Sequence, residues 1–195
     1  MEERLIKVGI THGDINGIGY EVILKTFSDA RVAELCTPVI YGSSKIAAYH
    51  RKALELPPVN MNIISQAEDA GINRVNIINC VDDETKVELS QSTSIAGEAA
   101  FLALEAAVTD LKRGAVDVLL TAPINKHNIQ NDEFHFPGHT EYLEERFGGV
   151  GRKALMILMK DGLRVALVTG HIPLAEVPSR ITVEDLVSNL RIFIQ

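Results

Sequence analysis

No apolar run in the sequence is long enough to span a bilayer, and the opening Met1-Glu2-Glu3-Arg4 is acidic where a secretory leader would be basic. The expectation is a cytoplasmic protein with no membrane partner. Basic residues are in deficit: 19 lysines and arginines stand against 26 aspartates and glutamates, giving a net charge of -7 and a pI near 5.4. A nucleic-acid or anionic-lipid surface needs a basic face, so neither is expected and a small ligand is. Cysteine is nearly absent. Cys36 and Cys80 lie far apart without metal-ligand spacing and read as small buried thiols. HExxH motifs, internal repeats and low-complexity segments are all missing. What is present is a chain of 195 residues with 46% hydrophobic content and a mean hydropathy of +0.10, enough to bury a sizeable core in one large domain or parts of two.

Residues 5–10 form an apolar run with one lysine, followed by the glycine-bearing Thr11-His12-Gly13-Asp14-Ile15-Asn16-Gly17-Ile18-Gly19 and an amphipathic stretch over 20–27. This is strand, loop, helix. A second strand is expected over 37–42, with Ser43 capping a helix to about residue 55, and short strands over 60–65 and 74–80. Residues 81–93 read as a solvated loop around Asp82, Asp83 and Glu84. A long helix follows from Ser94 to Arg113, with Ala99, Leu102, Ala103, Ala106 and Ala107 on one face and Gly114 as its stop. Its many alanines require close packing. Residues 116–121 are a continuous apolar run of the kind buried on both faces of a parallel sheet. Thr121-Ala122-Pro123-Ile124-Asn125-Lys126 leaves its carboxyl end, where open α/β sheets bind ligands. Phe136-Pro137-Gly138-His139-Thr140-Glu141 then leads into a helix expected over 141–147, with Thr140 as its N-cap. Residues 153–159 and 163–169 read as an antiparallel pair, turned at Asp161-Gly162 and joined to the sheet, and Thr182 caps a last helix. The alternation specifies an α/β fold. The apolar ending at 190–195 reads as a chain stopping before its fold is complete, or as a short docked helix.

Three loops that follow apolar strands carry polar groups and can converge at one sheet edge. Gly13, Gly17 and Gly19 do not match the G-x-G-x-x-G spacing, so an ordinary Rossmann nicotinamide site is not supported and the loop reads as a tight turn packing helix on strand. His139 lies at the positive end of a helix, where an anion can bind, or in a plain proline-glycine turn. Lys126 offers charge to a phosphate or carboxylate, or is a solvated loop lysine. His171 emerges before the rigid Ile172-Pro173-Leu174, as a metal ligand, a catalytic base or a structural histidine would. One histidine makes no metal site. Glu141 and Glu144 read as helix-capping charges, while His12, His50, His127 and His135 have no nameable partner.

Taken together, Gly13-Asp14 with Gly17-Ile18-Gly19 and Glu21, the segment 121–126, Pro137-Gly138-His139-Thr140-Glu141, and 163–169 running into His171-Ile172-Pro173-Leu174 resemble the 4-hydroxythreonine-4-phosphate dehydrogenase (PdxA) family. The resemblance implies an isocitrate/isopropylmalate dehydrogenase-like α/β/α sandwich, a mostly parallel sheet with an antiparallel hairpin, incomplete at the C-terminus. It implies a first α/β domain over 1–130 and the start of a second, dimer-forming domain over 131–195, in a homodimer whose active site is shared between subunits. The family's reaction uses NAD or NADP to oxidise 4-phosphohydroxy-L-threonine, a small phosphorylated hydroxy amino acid, and then loses carbon dioxide. A divalent metal (Zn, Mg or Co) would polarise the reacting oxygen, in the biosynthesis of pyridoxal 5'-phosphate. By position, His139 and Thr140 bind substrate, Lys126 is an anion contact, and His171 is one of three metal-binding histidines. Where the family often reads Gly-Asp-Pro-Ala-Gly-Ile-Gly-Pro-Glu, this chain has Ile15, Asn16 and Tyr20, which makes the loop less rigid. The family's other two metal histidines and most of its nucleotide contacts would lie beyond Gln195, so the chain alone is expected to be inactive. Dehydrogenases of other phosphorylated four-carbon acids, phosphate acyltransferases of related fold and a non-catalytic dimerising fragment are the alternatives.

Overall fold

Short aliphatic runs between polar loops form five strands: β1 (Lys7–Thr11), β2 (Thr37–Gly42), β3 (Met61–Ile64), β4 (Val75–Asn79) and β5 (Val118–Thr121). They pair in parallel in the order β3-β4-β2-β1-β5, with Ile10 of β1 opposite Ile40 on one side and Leu120 on the other. The coordinates are a computed structural model describing residues 5–148 and 153–194. Parallel neighbours need long crossovers, which run through α1 (Gly19–Thr26), α2 (Val32–Leu35), α3 (Ser44–Ala53) and α4 (Ser94–Lys112). From β1 the chain moves one way to β2 and on to β3, inserts β4 between them, and then returns to place β5 on β1's other side. The order therefore reverses between β1 and β5, and the crevice at their carboxyl ends is where such sheets hold ligands.

Side-chain alternation covers the sheet on both faces. Ile10, Ile40 and Ile77 pack with Ile23 and Phe27 of the α1 segment, while Val39 and Tyr41 pack with Ala103, Ala107 and Val116. Each fully buried isoleucine contributes about 1.5–3 kcal/mol. Ser43 caps α3 by accepting from the Ile46 N–H at 3.3 Å, and Gly114 (φ +74) follows the end of α4. The alanines of α4 let it approach the sheet, and its other side buries Ala100, Phe101, Leu104 and Val108 against Ile129, Phe134 and Tyr142. The buried face differs from the expected one at Leu102, which is 41% exposed, because α4 packs on two sides, through Ala96 and Ala99 on one and Ala100 and Leu104 on the other, instead of along a single stripe. β5 also differs from expectation. It begins at Val118 and forms a sheet edge, so Val118 and Leu120 are 46% and 53% exposed where burial on both faces was expected.

Contacts divide the chain into two units, Met1–Phe147 and Gly148–Gln195, with residues 131–147 grouped in the first. The second unit holds a hairpin of β6 (Ile157–Lys160) and β7 (Leu163–Ala166), turned at Asp161 with φ 49. The expectation that this pair joins the main sheet is corrected: β6 and β7 form a two-stranded sheet of their own, their four-residue ladder closing on itself. Past it come α6 (Val177–Arg180) and α7 (Val183–Phe193), the latter capped by Thr182 accepting from the Asp185 N–H at 3.1 Å. Among the described residues no helix is long and apolar enough to cross a membrane.

Candidate functional site

The loops after β1 and β5 meet at the switch point. Gly13 has φ +70, and a Cβ there would stand 2.3 Å from the Pro123 carbonyl oxygen, so only glycine lets the two loops approach this closely. The Asp14 N–H donates to that same oxygen at 2.9 Å. Its carboxylate, only 7% exposed, accepts from the Asn16 N–H at 2.8 Å through Oδ1 and from Asn128 Nδ2 at 3.2 Å through Oδ2. Asn16, likewise buried, donates from Nδ2 to the Gln91 carbonyl at 2.9 Å and to Thr93 Oγ1 at 3.0 Å, and accepts from the Glu88 N–H at 2.7 Å. These two residues carry the loop's organisation, a role that the sequence assigned to neither. The signal was an Asp-x-Asn in a glycine loop, a spacing that favours a side chain bonding its own backbone two residues on.

Lys126 and His139 come together across the next turn. Phe101, Phe134, Phe136 and Tyr142 interlock, with Phe134 and Tyr142 stacked at 5.3 Å, and so seat α5 (His139–Phe147) on α4. The helix begins earlier than the sequence suggests. Tyr142 N–H donates to the Gly138 carbonyl at 3.3 Å, so Gly138 precedes the first turn and Thr140 lies within it, not at the cap. Lys126 Nζ reaches 3.8 Å from the place a Cβ on Gly138 would take. His139 is half-buried, and desolvation first, then the Lys126 charge, hold its imidazole below the usual histidine range. Its Nε2 is buried without a hydrogen-bond partner among the described residues. A neutral ring nitrogen, an exposed ammonium and the exposed Thr140 thus share the start of one helix, an arrangement able to grip a small anionic ligand.

His171 lies in the second unit, exposed, with φ 55. Among the described residues no three His, Cys, Asp or Glu side chains gather to hold a metal ion, so the donor set present does not by itself fit a divalent metal. Two other histidines acquire partners the sequence did not suggest. His12, Tyr20 and His50 stack ring on ring at 5.1 and 5.2 Å, and His50 Nε2 bonds the Ile15 carbonyl at 2.8 Å. Burial pushes His12 down to about 4, and both of its ring nitrogens are buried without a hydrogen-bond partner among the described residues. These rings are core.

Fold and site together define a doubly wound α/β protein with a lysine and a neutral imidazole side by side near its switch point. The family model of the pyridoxal phosphate biosynthetic protein PdxA matches residues 34–195, and the chain belongs to that family. It is 59% identical over 193 residues to a 4-hydroxythreonine-4-phosphate dehydrogenase of Bacteroides thetaiotaomicron, covering 99% of this chain and 52% of that protein. A 4-hydroxythreonine-4-phosphate dehydrogenase of Sulfurihydrogenibium sp. is 38% identical over 190 residues, covering 96% and 56%. The crystal structure of a 4-hydroxythreonine-4-phosphate dehydrogenase from Burkholderia phymatum superposes with a TM-score of 0.85 at 28% identity, over 97% of this chain and 57% of that one. The chain spans about half the length of the curated relatives it matches.

Proposed function

We propose that this chain is the substrate-holding part of an NAD- or NADP-dependent 4-hydroxythreonine-4-phosphate dehydrogenase acting in pyridoxal phosphate biosynthesis as a cytoplasmic homodimer. The observation that carries this reading is the 59% identity to the Bacteroides protein across 99% of the chain. The local geometry supports it. Lys126 supplies a compact positive charge for the substrate's phosphate or carboxylate, strengthened by the positive end of α5. His139, kept neutral by its burial, donates or accepts one hydrogen bond through Nε2, and the Thr140 hydroxyl gives a second. A nicotinamide would supply hydride acceptance and a divalent metal would supply charge stabilisation at the reacting oxygen. His171 is the metal ligand proposed for this chain. The chain spans about half the length of its curated relatives, and on this reading the isolated chain is expected to be inactive.

The test is nucleotide reduction by the intact protein on 4-phosphohydroxy-L-threonine, with added divalent metal. Lys126→Ala and His139→Ala are each expected to raise the substrate KM about tenfold, or about 1.4 kcal/mol. Absence of reduction by the unaltered protein would sink the proposal.

A further inference from the structure

The polar junction beneath Lys126 has a role of its own. Asp14 holds the segment after β5 through Pro123 and Asn128, while Asn16 holds residues 88–93 through three side-chain hydrogen bonds besides the Ser90 N–H to its own carbonyl. These two held segments then meet each other. Asn125 Nδ2 donates to Ser92 Oγ at 3.1 Å, and Asn125 Oδ1 accepts from the His127 N–H at 2.9 Å, which fixes the turn on either side of Lys126. Both oxygens of Asp14 and both ends of the Asn16 amide are thus engaged by protein, which makes holding these loops together their structural task. Buried polar groups held this completely rigidify what they connect, whereas a lysine on an exposed loop has four rotatable bonds to fix before it can serve one anion.

We propose that Asp14 and Asn16 are positioning residues that set Lys126 for the phosphorylated substrate, a role resting on the dehydrogenase reading above. Asn16 stands where the resemblance leads one to expect alanine, and the alanine could make none of its three bonds. The departure therefore adds three side-chain bonds to the backbone tie between the glycine loop and residues 88–93, and so replaces the rigidity a proline would give at Ile15. Asn128 Oδ1 is buried without a partner among the described residues, which leaves its bond to Asp14 as the one holding that side chain.

The experiment uses the intact protein and compares Asn16→Ala, Asp14→Asn, Asn128→Asp and the double variant D14N/N128D, in which the donor and acceptor of the Asp14–Asn128 bond change places. Two quantities are read: amide hydrogen exchange at His127 and Asn128, and the KM values for 4-phosphohydroxy-L-threonine and for the nucleotide. Asn16→Ala and Asn128→Asp are each expected to lose amide protection and to raise the substrate KM about tenfold with the nucleotide KM within twofold; Asp14→Asn, which Asn128 can meet by turning its Oδ1 inward, is expected to lose less, and the double variant to recover both. Lost protection with an unchanged substrate KM would overturn the proposal. So would a raised KM with protection intact, which would make these residues direct ligand contacts. If the unaltered protein does not turn over this substrate, the dehydrogenase reading fails separately. The junction is then judged by calorimetric binding of inorganic phosphate, where equal affinity in all variants overturns it and a tenfold loss restored in D14N/N128D sustains it.

Discussion

His12 shows how much one buried side chain can decide. Its folded-state value near 4 lies below the 6.5 of the free imidazole, so between those two the unfolded chain binds a proton that the folded chain refuses. Stability from this residue is complete above pH 6.5 and is lost as pH falls toward 4, a change of about 3 kcal/mol. Urea denaturation of the wild type and of His12→Asn at pH 7 and pH 4.5 checks this: the variant, though less stable throughout, is expected to lose markedly less stability on acidification. Equal losses would show that the stack with Tyr20 leaves the ring open to protonation. At the same scale, Lys126 and His139 were legible in the sequence, because a proline-glycine pair before a helix and a loop after a strand advertise themselves locally. The Asp14–Asn128 and Asn16–Thr93 bonds were not, since their partners are 114 and 77 residues away.

Among the elements, α4 makes the sharpest prediction. On helix propensity alone Gly97→Ala would stabilise by about 1 kcal/mol. A Cβ there, however, would stand 1.8 Å from the Asn128 carbonyl oxygen, which is backbone and cannot swing aside. Overpacking is therefore expected to win, destabilising by about 1–3 kcal/mol and lowering the thermal midpoint. A stabilised variant would mean that the 125–129 turn yields easily. Strand β2 matches its sequence-derived bounds at both ends, because its threonine start and glycine end punctuate an apolar run. The edge position of β5 and the separate sheet of β6 and β7 did not emerge in this way. Strand order depends on which crossover returns where, and an Asp-Gly turn records a hairpin without recording whether a third strand pairs with it.

For the whole molecule, family membership carries the functional expectation and His171 its metal part. In the intact protein, His171→Ala is expected to lower bound divalent metal, read by elemental analysis, and to abolish nucleotide reduction while leaving the thermal midpoint of the first unit within about 2 °C, a small effect expected of an exposed residue. Undiminished metal would remove His171 from the ligand set. The strand order has a further consequence, for the growing chain. Lys7 and Asp117, bonded at the start of the β1–β5 pairing, are 110 residues apart, an interval that takes roughly 5 to 20 s to synthesise. Throughout that delay β1 can pair with β2 but leaves its other edge open, a template for pairing with neighbouring nascent chains. The strand edge that β5 later covers is, during translation, an unpaired ladder of backbone donors and acceptors.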